Sequence, residues 1–152
     1  MSRPVPVVVL RFVLALSAVV VSAQAAWTQP RIAVNDVDAP AGVTVAAGAV
    51  ARVAVSDGPA NTTDWIAFYP VGAADTGYLA WQYLTGTTAP PGVGLSTAAL
   101  TFSVPVSPGD YEFRLFANNG FTRLATSTVV TVAAPSSETA VNGGAPGSPV
   151  EV

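Results

Sequence analysis

From residue 31 to residue 132 the chain is a series of short runs in which apolar side chains alternate with polar ones or fill both positions. Pro, Gly, Asn and Asp punctuate the runs. No stretch sustains the period of an amphipathic helix, so the pattern is one of strands and turns. Residues 97–104 alternate cleanly, with Ala98, Leu100, Phe102 and Val104 inward and Ala99, Thr101 and Ser103 outward. In residues 49–56, Ala51, Val53 and Val55 oppose Val50, Arg52 and Ala54, and the face carrying Arg52 belongs outside. Residues 64–69, DWIAFY, are apolar on both faces, which marks a central strand or one whose outer side is covered. Residues 78–84 place Leu79, Trp81 and Tyr83 on one side and Tyr78, Ala80, Gln82 and Leu84 on the other. Residues 31–37 and 42–45 read as a first strand split at Ala39-Pro40, since proline is tolerated at edges and bulges.

Residues 108–132 predict a complete β-hairpin. Two runs rich in β-branched and aromatic residues flank Asn118-Asn119-Gly120, and Asn-Gly best tolerates the positive φ values of a type I′ turn. With Asn119-Gly120 as a two-residue loop, Asn118 faces Phe121, Ala117 faces Thr122, Phe116 faces Arg123 and Leu115 faces Leu124. Tyr111, Phe113, Leu115, Ala117, Leu124, Thr126, Thr128, Val130 and Val132 then share the inner face. Glu112, Arg114, Phe116, Arg123 and Ser127 share the outer one. A shift by one residue would bring Arg123 to the core face opposite Leu115, an unpaired buried charge costing several kcal/mol. Seven to eight short strands in about a hundred residues predict an all-β fold, a two-sheet antiparallel β-sandwich.

Composition adds what lies around this domain. The chain has 152 residues, 51% of them hydrophobic and 10% charged, with 13 Gly and 13 Pro. Residues 1–25 combine Arg3 and Arg11 with the apolar run FVLALSAVVV and end in an Ala-x-Ala pattern, the layout of a secretory signal peptide; an uncleaved membrane anchor is the alternative. Residues 133–152, dense in Pro, Gly and Ser, read as a disordered tail or linker. The formal net charge is −3. Cleavage after Ala25 leaves four arginines against nine acidic residues, an acidic exported protein without membrane contact. The arginines are too few and too dispersed for nucleic acid. Without Cys or His the chain lacks the ligands of zinc sites, thiol chemistry and catalytic triads, so no cofactor is assigned.

The run PGDYEFR at 108–114, followed by Ala117-Asn118, resembles the penultimate strand of immunoglobulin-like and fibronectin type III-like modules. DWIAFYP at 64–70, YLAW at 78–81 and FRLFANNGFTRLATS at 113–127 are together similar to bacterial immunoglobulin-like modules attached to secreted hydrolases. DWI-x-x-Y also resembles part of the SKICH sandwich domain. The resemblance covers residues 31–132 and implies an immunoglobulin-like sandwich, a tyrosine corner at Tyr111, a buried Trp on the third strand and an accessory role. The chain departs from antibody-type domains in lacking the inter-sheet cysteine pair, and it holds no metal-binding His and Asp motif of a phosphoesterase.

Candidate chemistry is sparse. The aromatic residues Trp65, Phe68, Tyr69, Tyr78, Trp81 and Tyr83 form either a sugar-stacking platform or core, with Trp65 and Tyr69 expected in the core and Trp81 and Tyr83 open between the two. Arg114, Phe116 and Arg123 lie on the outer hairpin face, where an exposed cation–π pair of Phe116 with Arg123 offers a surface for an acidic glycan or a protein. Asp36, Asp38, Asp57 and Asp75 sit near loops, yet no calcium-loop spacing connects them, and no metal is assigned. Asn61-Thr62-Thr63 matches a glycosylation acceptor or shapes a turn. Asp110 and Glu112 have no cleft around which to act as glycosidase carboxylates, and no catalytic residue is assigned.

The expectation is a secreted, non-catalytic module for protein or cell-surface interaction, or a spacer for a secreted hydrolase. A carbohydrate-binding module and the N-terminal fragment of a secreted phosphoesterase or glycoside hydrolase are the alternatives. Candidate ligand-binding residues are Trp81, Tyr83, Arg114, Phe116 and Arg123, and the partner is a polysaccharide or another extracellular protein.

Overall fold

Alternation becomes strand wherever its apolar side finds a second sheet to cover it. In the computed structural model, which describes residues 28–135, nine strands form two packed sheets. They are β1 (Arg31–Val34), β2 (Val43–Ala46), β3 (Val50–Ser56), β4 (Trp65–Pro70), β5 (Ala80–Tyr83), β6 (Ala98–Ser103), β7 (Gly109–Ala117), β8 (Thr122–Thr126) and β9 (Val130–Ala133). The signal peptide, the anchor alternative and all of the tail past Pro135 lie outside the described residues.

The smaller sheet runs β1-β3-β6, antiparallel throughout. It buries Ile32, Val34, Ala51, Val53, Val55, Leu100 and Phe102 and leaves Arg52, Ala99 and Thr101 outside, as the alternation requires. The larger sheet runs β2-β9-β7-β4-β5, with β8 also paired to β7. Its inner residues Ile66, Phe68, Phe113, Leu115, Val130 and Val132 close the core against the first sheet. The Tyr111 ring stacks on Phe68 at 5.1 Å, and its hydroxyl donates to the Ser107 carbonyl at 3.0 Å, the bond that defines a tyrosine corner. The all-β two-sheet sandwich is therefore present.

Nine strands appear instead of seven or eight because the first and last are each broken in two. The break near Pro40, where the Ala39–Pro40 bond is cis, lets β1 join the small sheet and β2 the large one. There β2 runs parallel to β9, the one departure from antiparallel pairing among the described strands. The last strand breaks at Ser127, which exchanges hydrogen bonds with the Phe113 backbone, so β9 pairs with Gly109–Tyr111 and β8 with Arg114–Ala117.

The hairpin register is half as expected. Ala117 pairs with Thr122 and Phe116 with Arg123, but the register then shifts and Leu115 lies opposite Ala125, not Leu124. Leu124 is the extra residue of a β-bulge, and beyond it Thr126 turns outward while Leu124 and Ala125 both reach the core. The turn also moves. Asn118 and Asn119, with φ of 51° and 56°, are its central residues, and the Gly120 N–H donates to the Ala117 carbonyl at 2.9 Å. Residues 118–121 thus form a four-residue loop, and Asn118 does not pair with Phe121.

A candidate ligand cleft on the outer face of the large sheet

The outer side of the large sheet carries Trp65, Ala67 and Tyr69 from β4, Trp81 and Tyr83 from β5, and Glu112, Arg114 and Phe116 from β7. Register places Tyr83 beside Trp65, Trp65 beside Phe116, and Ala67 between Trp81 and Arg114. A second buried cluster of Trp65, Ala67, Tyr69, Tyr83 and Phe116 forms there, separate from the sandwich core. DWIAFY is apolar on both faces because each face has its own cover.

One half of this face is closed. The segment after β4 folds back across Arg114, whose guanidinium donates to the Ala73 carbonyl at 2.8 Å, to Asp75 at 2.7 Å and to Glu112 at 2.7 Å. The guanidinium carbon lies 4.2 Å from the centre of the Tyr69 ring. Arg123 also pairs with Asp75. Arg114 and Phe116 are 2% and 0% exposed, so the open outer surface expected of them does not exist, and Phe116 stacks on Trp65 instead of meeting Arg123 as an exposed pair. Arg123 is the one member of that trio exposed to solvent. Simple alternation sorts side chains between two faces but is silent on a loop that returns to roof one of them.

The electrostatics follow from this closure. Burial raises the Asp75 carboxyl, but hydrogen bonds from Arg123 and Arg114 and their charges outweigh it, and its pKa falls below the ordinary carboxylate value. Burial likewise opposes the Arg114 charge and is outweighed by Glu112 and Asp75, which raise its pKa. The Tyr69 phenol is pushed up to about 12, first by burial and then by the Asp75 charge. Its hydroxyl donates to the Asp75 carbonyl at 2.6 Å. Two arginines and two carboxylates thus balance one another and latch the segment to the sheet.

The other half is open. Trp65 is its hub: Tyr78, Trp81 and Phe121 approach at ring-centre distances of 5.7, 6.0 and 5.5 Å, each steeply inclined to it, while Phe116 stacks beside it at 4.7 Å. Trp65, Tyr78, Trp81 and Phe121 with Asn119 line an open cleft of about 170 Å³. Tyr78 and Phe121 are exposed and Trp81 is half-buried. Tyr83, expected as a ligand platform, is 5% exposed; its ring packs edge-on against Trp81 and its hydroxyl donates to Asn119 Oδ1 at 2.7 Å. It supports the wall without lining the cleft.

The loop that supplies Asn119 and Phe121 is held from below. Trp65 Nε1 donates to the Gly120 carbonyl at 3.0 Å and the Asn119 N–H to the Thr63 carbonyl at 3.0 Å. Asp64, 1% exposed, accepts from the Asn118 N–H at 3.2 Å and from Asn61 N and Nδ2 at 3.1 and 3.0 Å. Asn61 therefore shapes its turn through Asp64. These anchors draw the two asparagines, not Asn-Gly, into the left-handed region. Asn119 and Phe121 are the cleft residues the sequence reading missed. The signal was Phe121, an aromatic residue immediately after the Asn118-Asn119-Gly120 turn.

Elsewhere the carboxylates have other occupations. Asp57 pairs with Arg31 at 3.3 Å, Asp110 accepts from Thr131 at 2.8 Å and Glu112 serves Arg114. Among the described residues no three His, Cys, Asp or Glu side chains gather into a metal-holding group, and no helix is long and apolar enough to cross a membrane. A larger hollow of about 240 Å³ between Asp36, Arg52 and Thr101 has no aromatic wall. No protein-family model and no curated protein matches the chain.

Proposed function

We propose that the chain is an exported, non-catalytic module for cell-surface interaction that holds its ligand in the aromatic cleft. The cleft carries the reading: a solvent-open pocket with Trp65, Tyr78, Trp81 and Phe121 around it, built on a rigid sheet. Concave, mostly apolar sites with one or two placed polar groups are the usual form of a ligand pocket. The tyrosine corner at Tyr111 and the β4–β7 pairing support an immunoglobulin-like accessory role, in line with the resemblance to modules of secreted hydrolases. Cosedimentation of the purified exported chain with cell-envelope fractions of the producing organism tests it. Trp81→Ala should lower the bound fraction about tenfold, the weight of one well-placed aromatic contact. Envelope binding unaffected by Trp81→Ala, or none by the unaltered chain, would overturn the proposal.

The half-buried Trp81 beside Asn119 favours carbohydrate as the second reading, because a planar ring next to an amide is what a pyranose face and its hydroxyls require. Retention on insoluble polysaccharides, lost in Trp81→Ala and Tyr78→Ala, distinguishes it. Tyr83→Ala is the wrong probe, since that side chain supports Asn119 from beneath.

A further inference from the structure

Resting on the reading of the cleft as the binding site of a surface module, we infer that the group it receives is a quaternary ammonium of the choline type. Tyr78, Trp81 and Phe121 stand at 75°, 85° and 78° to the Trp65 plane, so the lining rings rise steeply from Trp65 and do not make a single flat platform. Phe116, fully buried, stacks on Trp65 at 23° and blocks its retreat. At about 170 Å³ the open cleft is well below the roughly 300–1,000 Å³ of a site for a drug-sized ligand, a size that suits one small head group.

The chemistry of the lining selects among such groups. Two of the lining polar groups are engaged, Trp65 Nε1 with Gly120 and Asn119 Oδ1 with Tyr83, which leaves the Trp81 indole N–H, the Tyr78 hydroxyl and Asn119 Nδ2 for a ligand. A polyhydroxylated ring carries more hydroxyls than these few groups can partner, and unmatched polar groups are costly. A methylated ammonium has no N–H bonds to lose, and its diffuse charge is attracted to aromatic faces from several sides at once. Choline adds one hydroxyl, for which Asn119 Nδ2 carries no hydrogen bond to the described residues.

Charge points the same way. No arginine lines the cleft, and Arg114 and Arg123 on the same sheet face are already paired with Asp75 and Glu112. Asp64, by contrast, sits under the loop that forms one wall and is bonded by neutral donors, with no cationic partner among the described residues. The uncompensated charge at this end of the sheet is negative, which suits a cation and disfavours an acidic glycan.

Titration of the exported chain, followed by tryptophan fluorescence and calorimetry, tests the inference with tetramethylammonium, choline and 3,3-dimethylbutan-1-ol, the neutral analogue in which carbon replaces the choline nitrogen. Both cations should bind saturably, and choline about tenfold or more tighter than the alcohol. Tyr78→Ala, on an exposed loop residue, should weaken choline binding about tenfold, and Tyr78→Phe should restore it. Equal binding of choline and the alcohol, or no binding of either cation, overturns the inference. If envelope binding depends on Trp81 yet choline does not compete, the ammonium assignment fails while the surface module stands. If envelope binding ignores Trp81, the module reading itself fails.

Discussion

Arg114 sits at a position that alternation assigns to the solvent side, yet it is 2% exposed and carries bonds to Ala73, Asp75 and Glu112. Removing the guanidinium leaves the largely buried Glu112 carboxylate without a cation and the Ala73 carbonyl without its donor, while Asp75 keeps Arg123. Arg114→Ala is therefore expected to cost about 3–5 kcal/mol in urea denaturation. A loss below about 1 kcal/mol would show that the network is only surface pairing. Tyr69 gives the matching pH test. The folded protein holds its phenol proton up to about pH 12, whereas an unperturbed tyrosine titrates at 10.0. A folded-state pKa raised in this way contributes stability that is whole below pH 10 and lost as pH rises towards 12. Denaturation across that interval should show a slope that Tyr69→Phe reduces, and an unchanged slope would contradict the burial of Tyr69. At this scale the sequence identified the aromatic residues but misplaced the arginine, because a guanidinium reads as surface until its carboxylates are brought to it by a distant loop.

At the scale of elements, the hairpin separates what pattern can convey from what it cannot. Period-two alternation located β3, β6 and β7 and told inside from outside, since a one-residue slip there would bury Arg52 or expose Phe113. It was blind to the Leu124 bulge, because one added residue inverts parity without changing composition. It also chose Asn119-Gly120 for the turn, whereas the bonds to Asp64, Thr63 and Trp65 place the left-handed residues at Asn118 and Asn119. Substitution discriminates the two turns. Asn118→Ala must hold a positive φ and lose the asparagine's tolerance of it, costing about 1–2 kcal/mol. Gly120→Ala should cost under about 1 kcal/mol, since Gly120 is not in the left-handed region and an added Cβ would come no nearer than 3.4 Å to the Ala117 carbonyl oxygen. Stability curves showing Gly120→Ala as the costlier change would restore the Asn-Gly turn. The split first strand was legible because proline announced it. The split last strand was not, because Ser127-Thr128-Val129 reads as ordinary strand.

Across the whole molecule, a chain without disulfides is held by two apolar clusters, one between the sheets and one on the outer face of the larger sheet. The second cluster has two ends: its Arg114 end is sealed by the latch, and its Trp65 end opens as the cleft proposed to take the ligand. DWIAFY made the presence of a covered outer face readable. What covers it, and where the cover stops, depends on residues 71–79 and 118–121, whose paths are set by contacts far apart in sequence. The claim that the cleft is the binding surface predicts where a ligand is felt. Two-dimensional NMR of residues 28–135 during choline titration should move the Trp65 and Trp81 indole signals together with the Asn119 and Phe121 amides, leaving Arg52, Thr101 and their neighbours on the small sheet unchanged. Shifts centred on Arg52 and Thr101, or no shift at the two indoles, would contradict it.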